Sequence, residues 1–172
     1  VEGREKRKTL LKVLEQAKDQ RVIIFTRTKR GADNLESFLK KAEYKVETIH
    51  GDKNQRQRDR ALNAFRKGRT NLLIATDIAA RGIDIDDIAL VINYELPTVA
   101  EAYVHRIGRT ARAGKNGIAI SLCEPKEHKL LYAIAKLTGQ KLPFLAPERK
   151  DKGSQAERPR KTRWRPDASP KK

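Results

Sequence analysis

At 172 residues the chain has the length of one domain, with room for a core of ordinary size and a tail. Lysine and arginine number 39 against 22 aspartate and glutamate, a formal charge of +17. That excess asks for an anionic partner, nucleic acid first and an anionic membrane surface second. The composition points away from a membrane span, a disulfide framework and a metal centre, because no apolar run is long enough and one Cys stands with three His.

The opening VEGREKRKTL has no apolar core of a signal peptide, so the chain reads as soluble, intracellular and cytoplasmic. The absence of Met, even at position 1, suggests a piece of a longer protein. A first helix is expected near residues 4–18, burying Leu10, Leu11 and Leu14. RVIIFT (21–26) follows as a strand, then TKRGADNLESFLKKA as a helix with Thr28 as N-cap and Ala32, Leu35, Phe38 and Leu39 on one stripe. KVETIH (45–50) is the second strand. NQRQRDRALNAFRKG is the next helix, with Ala61, Leu62 and Phe65 inward and Gly68 placed to end it. NLLIAT (71–76) is the third strand and IALVINY (88–94) the fourth. A helix after Pro97 runs through TVAEAYVHRI. GIAISLC (117–123) is the fifth strand, with Cys123 expected as a buried structural thiol, and PKEHKLLYAIAKLTG the last helix.

Residues 1–147 thus read as one α/β unit, an open parallel sheet with right-handed crossovers and helices on both faces. Residues 148–172, nearly devoid of apolar side chains and rich in Pro, Lys and Arg, read as a disordered basic tail. Such a tail would add sequence-independent, salt-sensitive affinity for nucleic acid, and Trp164 between Arg163 and Arg165 could stack on a base.

Ligands of open α/β sheets bind outside the carboxyl ends of the strands. That rule selects the loops after Thr26, His50, Thr76 and Tyr94. The loop in ATDIAARGIDI gathers Thr76, Asp77, Arg81, Gly82 and Asp84; Gly82 would allow close approach of a ligand, and Asp84 could accept from ribose hydroxyls. Taken singly, Asp77 and Asp84 read equally well as caps or turn residues. HGDKNQRQRDR opens a helix with Gln55 and Arg58 on its first turn, a phosphate-binding corner, while Arg56 and Arg60 read as surface charges. YVHRIGRTARAG spaces Arg106, Arg109 and Arg112 three apart, either a solvated basic helix face or a row awaiting a polyphosphate. No G-x-x-x-x-G-K-[ST] loop occurs, so half of a phosphoryl-transfer site would have to come from elsewhere, and no G-x-G-x-x-G follows the first strand.

In that order and spacing, IIFTRTKRGAD, HGDKNQRQR, ATDIAARGIDI and YVHRIGRTARAG resemble motif IV, the Q-x-x-R element, motif V and motif VI of the second RecA-like lobe of a DEAD-box RNA helicase, over roughly residues 1–145. EHKLLYAIAKL further resembles the bacterial RhlE-like branch. The resemblance implies that Arg109 and Arg112 are fingers on the ATP phosphates, with Gly82 and Asp84 at the ribose. His105 would link to the acidic motif of the other lobe, counted with the catalytic group, while Asp77, Arg81 and Arg106 would be structural or coupling. Thr28, Gly51, Gln55, Arg58 and Thr76 would face single-stranded or short duplex RNA with little sequence preference. Ala111 stands where the family usually shows Gly. ATP and Mg²⁺ would be held mainly by the N-terminal lobe of the parent chain, an RNA helicase and ATP hydrolase, and this piece alone would be inactive. The rival readings are a catalytically silent RNA-binding adaptor and the matching lobe of a DNA helicase; HRIGRTAR begins with His where related DNA-directed families show Gln.

Overall fold

The computed structural model describes residues 3–81, 83, 85, 88–110 and 117–139. The proposed boundary at 147 and the basic tail lie outside them. Five strands, β1 Val22–Thr26, β2 Val46–Ile49, β3 Leu72–Thr76, β4 Leu90–Asn93 and β5 Ile118–Ser121, form one sheet in the order β2-β3-β1-β4-β5. Every pairing is parallel, with Thr26 beside Thr76 and Phe25 beside Asn93. The helices are α1 Gly3–Gln16, α2 Lys29–Lys41, α3 Gln55–Arg66, the single turn α4 Asp77–Ala80, α5 Ala100–Ile107 and, after a 3-10 turn at Pro125–Glu127, α6 His128–Thr138.

Near-continuous apolar runs put β1 and β3 at the centre, and all five residues of each are buried. Their alternate side chains feed two cores. Val22, Ile24, Leu72 and Ile74 meet Leu10 and Leu14 of α1 and Leu35 and Leu39 of α2. Ile23, Phe25, Leu73 and Ala75 meet Ala61 and Phe65 of α3 and Ala79 and Ala80 of α4 on the other side. Each such large side chain contributes about 1.5–3 kcal/mol by leaving water. The sheet is therefore a rigid plate whose carboxyl edge carries the loops of interest.

Local signals end the helices where they should. Thr28 Oγ1 accepts the Gly31 N–H at 3.0 Å to start α2. Asn54 and Gln57 exchange reciprocal side-chain and backbone bonds, both 2.9 Å, forming a capping box at α3. Gly68, at φ +68°, supplies the left-handed residue after α3.

Three expectations are corrected. The stretch after Thr76 is a helical turn rather than a tight loop, because Asp77 begins α4 directly at the strand end. Strand β5 is not covered on both faces: it forms the sheet edge, and Ile118 is 58% exposed. Cys123 is only half-buried, just beyond that edge strand; its burial, with Glu127 nearby, raises the thiol pKa, so it remains an inert thiol.

A buried ion network ties the sheet edge to both ends of the described chain. Lys6 is 2% exposed, with Nζ 3.0 Å from Glu124 Oε1 and 3.7 Å from Glu127 Oε2. Glu127 is the hub: it accepts from Arg27 Nη2 at 2.6 Å, the Leu96 N–H at 3.2 Å and the Glu124 N–H at 2.9 Å. Removing one member of a buried pair leaves an uncompensated charge. Glu127→Ala removes the carboxylate partner of Arg27, one of the two of Lys6 and the acceptor of two amides, so urea unfolding should show a loss of about 3 kcal/mol or more, larger than for Lys6→Ala. An equal or larger loss for Lys6→Ala would remove Glu127 from the centre of the network.

Candidate functional site

Because all five strands are parallel, the loops after β1, β2, β3 and β4 open on the same edge. This brings Thr28, Gly51, Gln55, Thr76 and Asp77 to one rim. Arg106 enters that rim from α5 and is 1% exposed. Its Nε and Nη2 donate to the two carboxylate oxygens of Asp77 at 2.6 and 2.8 Å. Its Nη1 donates to Asn93 Oδ1 at 3.1 Å and to the Glu95 carbonyl at 2.6 Å, and its guanidinium carbon lies 5.0 Å from the Phe25 ring centroid. One side chain therefore engages the ends of β3, β4 and β1 together.

The expected row of arginines consequently divides. Helix α5 ends at Ile107, with Gly108 as its C-cap, so Arg106 and Arg109 do not share a helical face. A Cβ at Gly108 would sit 3.2 Å from the Val104 carbonyl, which makes glycine the best fit for the tight turn. Past that turn, Thr110 Oγ1 donates to the Ile88 carbonyl at 2.6 Å and anchors the chain. Arg109 Nη1 donates to the Ile83 carbonyl at 2.8 Å, which fixes it against the segment that follows α4. A solvated basic helix face is excluded for Arg106, whose charge is neutralised internally.

Arg109, His105 and Arg81 line a cleft of about 270 Å³ with Asp77, Ala80 and Arg106. His105 and Arg81 are exposed at its mouth, and Arg109 is half-buried. Asp77 is committed to Arg106, and the cleft beside that pair is lined by the guanidinium groups of Arg81 and Arg109. Such donors suit a polyphosphate anion. Among the described residues no group of three His, Cys, Asp or Glu could hold a metal ion. Gly82, Asp84 and Arg112 lie outside the described residues.

The β1 to β3 end of the rim has different chemistry. Thr76 stands at the N-cap position of α4, yet its side chain makes no capping bond. Gly51 is exposed, has no positive φ, and a Cβ there would meet nothing within 4 Å. Nothing within the described chain requires that glycine. Gln55 is exposed and donates to Asp59 Oδ1 at 2.8 Å. Arg58 is half-buried: Nη2 donates to the Ala79 carbonyl at 3.2 Å, tying α3 to α4, while its buried Nε finds no partner among the described residues. Thr28 spends its hydroxyl oxygen on the α2 cap.

Sequence reasoning missed Asn93, Glu95, Arg27 and Glu127, all of which set the rim. Glu95 Oε2 accepts the Arg27 N–H at 2.7 Å, joining the loops after β1 and β4. Their rim contacts lie 11 to 100 positions away in sequence; only Glu127 also has a local signature, the E-x-x-E capping box with Glu124. The Asn54–Gln57 box did have one: N-x-x-Q ahead of an apolar stripe.

The family model for the helicase conserved C-terminal domain matches residues 5–114. The pre-mRNA-splicing ATP-dependent RNA helicase PRP28 of Pyricularia oryzae is 50% identical over 116 residues, 67% of this chain and 17% of that protein. The DEAD-box ATP-dependent RNA helicase RhpA of Helicobacter pylori is 43% identical over 136 residues, 79% of this chain and 28% of that protein. The structure of S. cerevisiae Dbp5 bound to RNA and ADP BeF3 superposes with a TM-score of 0.72 at 40% identity, covering 78% of this chain and 36% of that one. The chain thus spans well under a third of the length of these two relatives.

The division of the arginines separates stability from chemistry. Asp77→Ala should leave Arg106 buried and unpaired and cost about 3 kcal/mol in denaturant unfolding, whereas Arg109→Ala should stay within about 1 kcal/mol of wild type. Comparable losses for the two would contradict the assignment of Arg106 as the internal strut.

Proposed function

Because the chain belongs to the helicase conserved C-terminal domain family, and is that domain of a DEAD-box RNA helicase, we propose that its cleft completes an ATP site begun on another lobe. The observation that carries this reading is Arg109, held on the cleft wall by the Ile83 carbonyl beside His105, in a site with cations but no phosphate-cradling loop. Arg109 and Arg112 meet the triphosphate as fingers, and charge developing on the transferred phosphoryl group is spread onto them. Asp84 and Gly82 receive the ribose. His105, exposed at the mouth, pairs with the acidic motif of the N-terminal lobe, and Asp77, Arg81 and Arg106 hold that geometry. When bound, Mg²⁺ would be held by the other lobe, where it would neutralise phosphate charge.

The remaining rim takes single-stranded or short duplex RNA. Thr76, with its hydroxyl unused by the helix cap, and Arg58, with a buried donor left over, are the phosphate contacts. The exposed Gly51 lets the backbone of the strand pass close, Gln55 borders it, and Thr28 flanks it from the start of α2. These are contacts to the phosphate and sugar backbone, so sequence preference is slight. The RNA-bound state of Dbp5 supports this side of the proposal. Closure of the two lobes over ATP and RNA then opens short duplexes locally. We further assign the parent to the bacterial RhlE-like branch, on EHKLLYAIAKL at the 3-10 turn and α6, and residues 1–147 as the lobe with 148–172 as its basic tail.

Two measurements test this reading. The chain alone should show no RNA-stimulated ATP hydrolysis, while the parent protein should; robust turnover by the chain alone would sink the two-lobe proposal. Gly51→Ala should leave unfolding within about 0.5 kcal/mol of wild type yet weaken single-stranded RNA binding several-fold by fluorescence anisotropy. Unchanged RNA affinity would take Gly51 off the RNA path.

A further inference from the structure

Strand β2 lies at the outer edge of the sheet, and among the described residues it pairs with β3 alone. Along its outer side, between α2 and α3, runs a groove made of two cavities of about 760 and 210 Å³. They share Lys40, Glu47 and Arg60 as common walls and so form one channel. At one end the channel reaches Lys53 and Gln57, in the segment that also carries Gly51, Gln55 and Arg58; at the other it reaches Lys67, Arg69 and Tyr44.

The lining has six basic side chains against two carboxylates, Glu36 and Glu47. Glu36 is already matched by Lys40 at 2.6 Å. Among the described residues Lys45, Arg60, Lys67 and Arg69 take part in no ion pair. Four cations along one groove, set against the single unmatched carboxylate of Glu47, leave a positive excess that favours an anion threading between them. Thr48, 4% exposed on the groove floor, has an Oγ1 with no hydrogen-bond partner among the described residues. A buried hydroxyl left without a partner marks a place where an outside group completes the bonding.

From this geometry we infer that the β2 groove is a second RNA-binding track, in which the strand leaving the Gly51–Arg58 corner continues along the sheet edge. The inference rests on the RNA reading of that corner. The phosphates lie on Arg60, Lys45, Lys67 and Arg69, and Tyr44, half-buried at the far end, offers a ring for one base to stack on. The contacts are electrostatic and independent of sequence, so the track lengthens the footprint without adding base preference. An open strand edge could also accept an extended peptide. The excess of basic side chains and the direct continuation of the RNA rim favour the polynucleotide.

The test compares labelled oligouridylates of about 6 and about 14 nucleotides by fluorescence anisotropy, lengths within the range single-stranded sites occupy. The variant Lys45→Ala/Lys67→Ala/Arg69→Ala should bind the short oligomer like wild type and the long one about 10-fold more weakly. Its log-log salt slope on the long oligomer should fall by about 2, from three lost phosphate contacts. A long oligomer carrying 4-thiouridine should crosslink to the peptide containing Tyr44. Unchanged affinity at both lengths, equal loss at both, or crosslinks confined to the rim would overturn the groove. So would binding of an extended peptide along β2 with RNA affinity untouched. Failure of the underlying RNA reading would look different: wild type would bind neither oligomer, and Gly51→Ala would change nothing.

Discussion

Arg106 is the contact on which the site depends. A guanidinium 1% exposed to solvent is tolerable only because it donates four hydrogen bonds, two to Asp77 and one each to Asn93 Oδ1 and the Glu95 carbonyl. Such a pair adds little net stability over an apolar filler, because desolvation offsets most of the attraction. Its effect is positional. The four bonds pin α5 to the ends of the central strands, and from that anchor the chain turns at Gly108 and delivers Arg109 to the cleft wall. A bidentate carboxylate also fixes the angle of the guanidinium plane, which a lysine in its place could not do.

In the proposed function the same rim serves two chemistries, and its two ends are held by different networks. On the β3–β4 side Arg106 holds the Asp77 carboxylate, and Arg81 and Arg109 line the cleft beside that pair. On the β2–β3 side the Thr76 hydroxyl makes no capping bond, the buried Arg58 Nε has no partner among the described residues, and a Cβ at Gly51 would meet nothing within 4 Å. Arg58 connects the two, since its bond to the Ala79 carbonyl ties α3 to the turn that begins with Asp77. Behind the rim, Glu127 gathers Lys6, Arg27 and the Leu96 amide, so the first and last described helices brace the loops they flank. At the surface, the Asp52 carboxyl is held below its usual range by a hydrogen bond from Lys29, keeping a compensated pair beside the Gly51 turn.

The fold was legible because its signals are local. Five apolar runs gave five strands, Thr28 capped the helix it was expected to cap, and Gly68 ended another. Asp77, Arg81, His105, Arg106 and Arg109, singled out from the sequence, line one cleft, but their arrangement was not legible. Spacing alone placed Arg106 and Arg109 in one row, and the structure turns them apart, since spacing says nothing about a carboxylate 29 positions away at Asp77. Arg58 was read as part of a phosphate-binding corner, and its bond to the Ala79 carbonyl of α4 could not be read from spacing. The Glu127 hub was invisible for the same reason: its partners Arg27 and Lys6 lie 100 or more positions upstream.

The central claim is that one arginine positions and its neighbour reacts. The most direct measurement is RNA-stimulated ATP turnover of the parent protein carrying Arg109→Ala, with ATP affinity measured in parallel. The account predicts turnover lower by about 10³-fold, the scale of a lost arginine finger, with nucleotide still bound and the fold intact. Turnover equal to wild type would contradict it, and would leave the cleft a binding face with no part in phosphoryl transfer.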